Sequence, residues 1–167
     1  MLSPDYRVTS YYYNPNIAPQ DEYERRRDEL LRFAEKESFP VIEGERDHRR
    51  WTGLVRDYRR LGERSQRCWE CYRMRLERTF QYAVEHNFQV VATVLSISPH
   101  KDAKKINQIG SELESKYGIN FLQADFKKKD GFKKAAEISR EHGFYRQNYC
   151  GCVYSRLERN KNSVYSS

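Results

Sequence analysis

The chain has no long apolar run. No stretch approaches the ~20 apolar residues that a membrane span needs. The first residues, Met-Leu-Ser-Pro-Asp-Tyr-Arg, hold no apolar segment of a secretory signal either. Both absences point to a cytoplasmic protein with no membrane association. Cysteine is scarce, with four in 167 residues, and none stands alone. Cytoplasmic thiols stay reduced, so these residues read as metal-binding or redox-active and not as structural staples. Internal repeats and linker-like stretches are also missing. The expectation is one α/β domain over residues 1–160, followed by a disordered tail at 161–167.

What is present begins with charge. The hydrophobic fraction is only 38% and the charged fraction 33%, and 31 Lys and Arg outnumber 24 Asp and Glu to leave +7. Such an excess favours a polyanionic partner, nucleic acid above all, although a solvated basic surface gives the same number. The 13 Tyr, 8 Phe and 2 Trp suit RNA, whose unpaired bases stack on rings, yet most rings of any protein pack in its core.

Elements follow from pattern. Val8 to Tyr13 is β-branched and aromatic and reads as a strand, ended by the turn signal Asn14-Pro15-Asn16. Pro19, Asp21 and Glu22 open a helix that carries Tyr23, Leu30, Leu31 and Ala34 on one face. Phe39 to Ile42 is a short second strand. Trp51, Leu54, Val55 and Tyr58 predict an amphipathic helix over 47–62, and Cys68 to Glu85 a long one. Phe88 to Ser96 reads as a strand buried on both faces of a parallel sheet. Ala103, Ile106, Gly110, Leu113 and Tyr117 share a helical stripe, Asn120 to Ala124 is a fourth strand, and Lys133 to His142 is the last helix. Strands alternating with helices predict parallel βαβ units. Ligands in such folds bind beyond the carboxyl ends of the strands, where Asn14–Asn16, Ser96–Lys101 and Asp125–Asp130 fall.

The cysteines form Cys68-Trp69-Glu70-Cys71 and Cys150-Gly151-Cys152. Four thiolates can close one tetrahedral zinc site, but a single intervening residue makes a cramped zinc knuckle. Alternatively, the CxxC supplies two cysteines of an iron–sulfur cluster, aided by a helix start that stabilises thiolate. The CxC then forms a small dithiol–disulfide couple whose central glycine accepts the backbone strain. A one-electron cluster beside a two-electron dithiol suits a two-electron reduction. The residues leave both divisions open.

Five stretches occur together in order: Tyr13-Asn14-Pro15-Asn16-Ile17, Arg67-Cys68-Trp69-Glu70-Cys71-Tyr72, Ser96-Ile97-Ser98-Pro99-His100-Lys101, Asp125-Phe126-Lys127-Lys128-Lys129-Asp130-Gly131-Phe132 and Tyr145-Arg146-Gln147-Asn148-Tyr149-Cys150-Gly151-Cys152. In order and rough spacing they resemble the epoxyqueuosine reductase QueH family, over roughly Val8 to Ser155. The resemblance implies reduction of epoxyqueuosine to queuosine at the wobble position of tRNAs for Asp, Asn, His and Tyr, with electrons from an unidentified donor. It implies a [4Fe–4S] cluster held by an N-terminal Cys-Cys pair together with Cys68 and Cys71, and a redox-active disulfide at Cys150 and Cys152. It also implies a Rossmann-like (HUP-type) doubly wound parallel sheet. Within that frame His100 is a candidate proton donor, since its unperturbed pKa lies near neutrality, and otherwise a helix cap or loop hydrogen-bonding residue. Lys101, opening a helix, and Lys127, Lys128 and Lys129, with Lys133 and Lys134, are candidates for tRNA phosphates. Asp47 and Glu70 are candidates for a second metal ion, or simple helix caps.

The chain departs from the family pattern at its start. Family members begin with a Leu-Leu-His type of strand, then Cys-Cys and a helix, and nothing of that kind precedes Val8. The expectation is therefore an N-terminally truncated member, with two of four cluster ligands and the first strand of its sheet missing. An incomplete gene product or a misplaced start codon accounts for this better than an inactive paralogue, because the other motifs are intact. A zinc-stabilised RNA-binding module without catalysis is the alternative. A PP-loop ATP enzyme ranks last, since no Ser-Gly-Gly phosphate loop is present.

Overall fold

A computed structural model describes the backbone of residues 6–123 and 131–164. The chain divides into two compact units: Met1–His48 with Gln147–Ser167, and Arg49–Arg146.

The first unit is built on one βαβ element. β1 (Ser10–Tyr12) runs into α1 (Gln20–Lys36) and then β2 (Val41–Glu43), which pairs parallel with β1 in the register Ser10↔Val41. Asp21 and Glu22 sit in the first turn of α1 and Lys36 in its last, which complements the helix dipole at both ends. The core is aromatic. Tyr12 meets Tyr23 edge-on at 5.4 Å and donates its hydroxyl to the Tyr23 carbonyl at 3.1 Å. Ile17 is buried with them, and Leu30 and Val41 pack against the cluster. Burial, with Glu43 nearby, raises the Tyr23 phenol above its usual pKa. A final helix, α6 (Val153–Val164), belongs to the same unit.

The second unit repeats the plan with a larger core. α2 (His48–Val55) leads through a 3-10 turn, Arg56–Tyr58, to α3 (Gln66–Glu85). β3 (Val90–Ala92), α4 (Ala103–Tyr117) and β4 (Asn120–Leu122) form a second parallel βαβ element with Val91 opposite Phe121, and α5 (Gly131–Glu141) follows. Tyr72, Leu76, Phe80 and Ala83 of α3 pack with Ile106, Ile109 and Leu113 of α4 and with Val91 and Phe121. Full burial of such aliphatic and aromatic side chains stabilises by about 1.5–3 kcal/mol each. Gly110 permits the closest approach: a Cβ there would lie 2.1 Å from the Phe121 ring. Gly118, in the left-handed region at φ 69°, ends α4.

The alternation of strands and helices is mixed α/β with parallel pairing, as expected. The described strands are hydrogen-bonded in two parallel pairs, β1-β2 and β3-β4, with which a Rossmann-like arrangement is compatible. The strand expected over Phe88 to Ser96 is shorter and less buried than its apolar run implied. The ladder ends at Ala92, and the Thr93 hydroxyl accepts the Leu95 amide at 3.2 Å as Leu95–Ile97 turns into a 3-10 helix. Val94 is 75% exposed. The helix expected over 47–62 stops at Val55, and Leu54 points outward while Trp51 and Val55 are buried. α6 was not foreseen, and its helical backbone continues to Val164 into the expected disordered tail. Ala124 and the loop 125–130, with Lys127, Lys128 and Lys129, lie outside the described residues. Among the described residues no helix is long and apolar enough to cross a membrane.

Candidate dithiol and thiolate sites

In the first unit, Cys150, Gly151 and Cys152 make the turn that starts α6. Gly151 has φ 108°, a conformation that L side chains rarely adopt, and a Cβ there would stand 2.9 Å from Arg26 Nη1 and 3.0 Å from Ile17 Cγ1. The tight turn brings the two sulfurs to 3.5 Å, unbonded. Cys152 is 5% exposed and its Sγ accepts the Ser155 amide at 3.4 Å, while its carbonyl accepts the Arg156 amide at 3.1 Å. It therefore caps α6 as an Asp or Ser would, and the helix N-terminus favours charge on that sulfur. Ser155 also accepts the Cys150 amide on its hydroxyl at 3.2 Å, so one residue holds both cysteines.

The loop after β1 holds the other side of this turn. Ala18 donates its amide to the Gly151 carbonyl at 2.9 Å and accepts the Tyr149 hydroxyl at 2.8 Å. From α1, Arg26 donates to the Cys150 and Tyr149 carbonyls, both at 3.4 Å, and covers the Tyr149 ring at 5.4 Å. Glu22 fixes Arg26 through a 2.6 Å ion pair whose side chains are only 12% and 10% exposed. Sequence reasoning missed Glu22, Arg26 and Ser155. Their signal was weak: an i,i+4 carboxylate–guanidinium pair facing inward, and a Ser three residues after a cysteine. Asn16 is 2% exposed, and its Oδ1 has no hydrogen-bond partner. A buried acceptor of that kind costs about 1–3 kcal/mol unless a donor reaches it.

In the second unit, Cys68 and Cys71 stand one turn apart near the start of α3, as the spacing predicted, and both are half-buried. The Cys68 amide donates to the Ser65 carbonyl at 2.9 Å. No acidic residue occupies the first turn of this helix. Lys105 Nζ lies 4.8 Å from the centroid of the Trp69 ring and Lys101 Nζ 6.0 Å from that of Tyr72, which places two cations beside the same turn. A helix N-terminus and neighbouring ammonium groups both favour thiolates, the species that ligates iron or zinc. Two sulfurs at i and i+3 fit two positions of a tetrahedral thiolate set. Among the described residues no group of three or more His, Cys, Asp or Glu is placed to hold a metal ion.

The remaining candidates are placed as follows. His100 is exposed, and its carbonyl accepts Arg64 Nε at 3.3 Å. Lys101 is half-buried. It does not open an anion site at a bare helix end, because Asp102 already caps α4 and accepts the Lys105 amide at 3.0 Å. Asp47 accepts the Tyr13 hydroxyl at 2.7 Å, and Glu70 accepts Gln66 Nε2. Lys133 and Lys134 are exposed near the start of α5.

These features define an α/β protein with two closely spaced free thiols in the first unit and a CxxC at a helix start in the second. A family model described as Epoxyqueuosine reductase QueH matches residues 1–158. The chain is 43% identical over 152 residues to an epoxyqueuosine reductase QueH of Thermotoga maritima, covering 89% of this chain and 79% of that one. Relatives of the same name from Haemophilus influenzae and Histophilus somni are 38% and 40% identical over 96% and 92% of this chain. The chain belongs to the epoxyqueuosine reductase QueH family. It spans 66% and 63% of the length of the latter two relatives.

Proposed function

We propose that this chain acts in the reduction of epoxyqueuosine to queuosine in tRNA, the last step of queuosine biosynthesis, with Cys150 and Cys152 as the two-electron donor. The observation that carries the reading is the 3.5 Å separation of two unbonded sulfurs, in a chain whose family is named for this reduction. The stoichiometry balances. Both C–O bonds of the epoxide break, a C=C bond forms and the oxygen leaves as water, which takes two electrons and two protons. The dithiol supplies both as its sulfurs join in a disulfide. Cys152, hydrogen-bonded at the start of α6, is the sulfur better able to carry charge. Cys150 is the less buried partner.

Cys68 and Cys71 would hold two positions of a [4Fe–4S] cluster. Such a cluster, when bound, supplies one-electron transfer. An unidentified electron donor is the implied redox partner. The substrates are the tRNAs for Asp, Asn, His and Tyr, engaged in the cytoplasm through His100, Lys101, Lys127, Lys128 and Lys129. The wobble base suits this chemistry, because it lies in a single-stranded loop where a protein can splay it out.

The test is Cys150→Ser in protein reconstituted anaerobically with iron and sulfide, scored by mass spectrometry of epoxyqueuosine-containing tRNA. Turnover is expected to vanish. Retained conversion overturns the dithiol assignment. Stoichiometric zinc without iron in the purified protein favours a zinc-stabilised RNA-binding module instead.

A further inference from the structure

The stretch from α2 to the start of α3 carries six arginines, Arg49, Arg50, Arg56, Arg59, Arg60 and Arg64, against two acids, Asp57 and Glu63. All six are exposed. Some arginines elsewhere in the chain meet carboxylates: Arg26 pairs with Glu22, Arg73 with Glu112 and Arg78 with Glu85. Among the described residues Arg49, Arg50, Arg56 and Arg60 meet none.

Their arrangement is not that of a random solvated face. Trp51 and Val55 turn one side of α2 inward at 1% and 0% exposure. Arg49 and Gly53 follow at i and i+4 on the opposite side, Arg56 comes next at the start of the 3-10 turn, and Arg60 is exposed in the turn beyond it. Gly53, between Arg49 and Arg56, has nothing within 4 Å of its missing Cβ, so the surface there is open. Arg49 to Arg56 spans about 10 Å at helical rise. Like charges at this spacing repel each other, so the stripe costs stability unless an anion lies along it.

The stripe is also held in place. Arg67 is 2% exposed and donates to the Leu61 carbonyl and, at 3.4 Å, to the Arg59 carbonyl. Arg64 donates to the Pro99 carbonyl at 2.6 Å. The same segment is thereby tied to the start of α3, where Cys68 and Cys71 stand, and to the loop bearing His100 and Lys101.

We infer that Arg49, Arg56 and Arg60, with the open surface at Gly53 between them, form a docking strip for the phosphate backbone of RNA. Guanidinium groups suit this partner, because their planar donors fork onto phosphate oxygens. The strip reads no sequence; it positions the RNA, as phosphate contacts do. The inference rests on the tRNA reading above and adds a surface that the lysine-rich loop did not supply.

The experiment measures binding of a fluorescent anticodon stem–loop RNA by anisotropy over a salt series. It compares the full chain, Arg49→Gln/Arg56→Gln/Arg60→Gln, and a control triple with the same loss of charge elsewhere, Arg32→Gln/Lys36→Gln/Arg140→Gln. The strip variant is expected to bind about tenfold more weakly or worse near ~0.1 M salt, with a salt slope shallower by about 2–3, at ~0.7–0.9 per phosphate contact. The control triple should keep the wild-type slope. A lysine version, Arg49→Lys/Arg56→Lys/Arg60→Lys, should restore much of the binding and guards against misfolding, as do matched melting curves. Equal losses in both glutamine triples would show a general charge effect and overturn the strip. Wild-type binding by the strip variant overturns the strip and leaves the tRNA reading standing. No RNA binding by the full chain overturns both, including the case where it binds anionic vesicles through these arginines.

Discussion

Cys150 and Cys152 sit in a turn bonded from several sides, whereas Cys68 and Cys71 sit on a helix whose sulfurs face no group of further metal-type ligands among the described residues. In the first unit, Ala18, Arg26 and Ser155 each bond to the backbone or sulfur of the CxC turn. In the second, the helix start is shaped by Ser65, by the buried Arg67 and by lysines over Trp69 and Tyr72. The difference accords with the separate roles proposed for the two pairs. A redox dithiol must bring two sulfurs together in a fixed turn, which local contacts accomplish alone. A coordination site needs thiolates presented outward to a shared ion, and its ordering is completed only when the ion binds.

The comparison breaks most sharply at Arg26. Arg26→Gln leaves Glu22 buried without its cation and removes the donor from the Tyr149 and Cys150 carbonyls. Breaking a buried pair from one side costs about 3 kcal/mol. Urea unfolding should show a loss of that order, and alkylation of Cys150 should speed up as its turn loosens. Wild-type stability with wild-type alkylation would mean that the remaining bonds from Ala18 and Ser155 suffice to hold the dithiol.

Much of this contrast was legible in the chain before folding. The apolar period from Tyr72 to Ala83 and from Ile106 to Leu113 located α3 and α4, since both bury a continuous stripe. It also placed Cys68 and Cys71 on one turn. α6 escaped because its inward residues are not apolar: Ser155 is buried, while Val153 and Leu157 are 39% and 54% exposed. A helix that bonds to a dithiol turn gives no hydrophobic period to find. The Val90 to Leu95 run misled in the opposite direction. β-propensity marks residues that fit a pleated surface, but the length of a strand depends on its partner, and β4 pairs only through Leu122. The Arg26–Glu22 clamp was hidden because an i,i+4 pair looks the same in sequence whether it is solvated or buried.

A smaller effect is expected in the second unit at Asp102. Its carboxylate accepts the Lys105 amide and occupies the α4 start, the position that sequence reasoning had offered to a phosphate. Asp102→Ala removes the cap at a cost of about 1 kcal/mol, or roughly 2–4 °C in Tm for a chain of this size. The same variant exposes a bare helix N-terminus beside Lys101, so inorganic phosphate should protect the variant against heat more than it protects the parent. An unchanged Tm would show that Lys105 and its neighbours find other acceptors.

The smallest effect concerns the middle of α3 and the C-terminal end of α4. Glu77 accepts Lys116 Nζ at 2.6 Å and the Tyr117 hydroxyl at 3.1 Å, and Tyr117 stacks on Phe80 at 6.0 Å. The Lys116 hydrogen bond, helped by Tyr117, holds the Glu77 carboxyl below its usual pKa against the opposing pull of burial. A carboxyl whose folded pKa is depressed contributes stability that is present above its unfolded value of about 4.3 and is lost as pH falls through the lower folded value. Lys116 is largely exposed, so solvent screening keeps the contribution of the pair small. Glu77→Gln should therefore be less stable than the parent by that small amount at neutral pH, and the gap should close as both are titrated below pH ~4. Added salt should narrow it at neutral pH as well, since the pair lies near the surface. A gap that persists in acid would assign the effect to the hydrogen bonds that glutamine misplaces and not to the charge on Glu77.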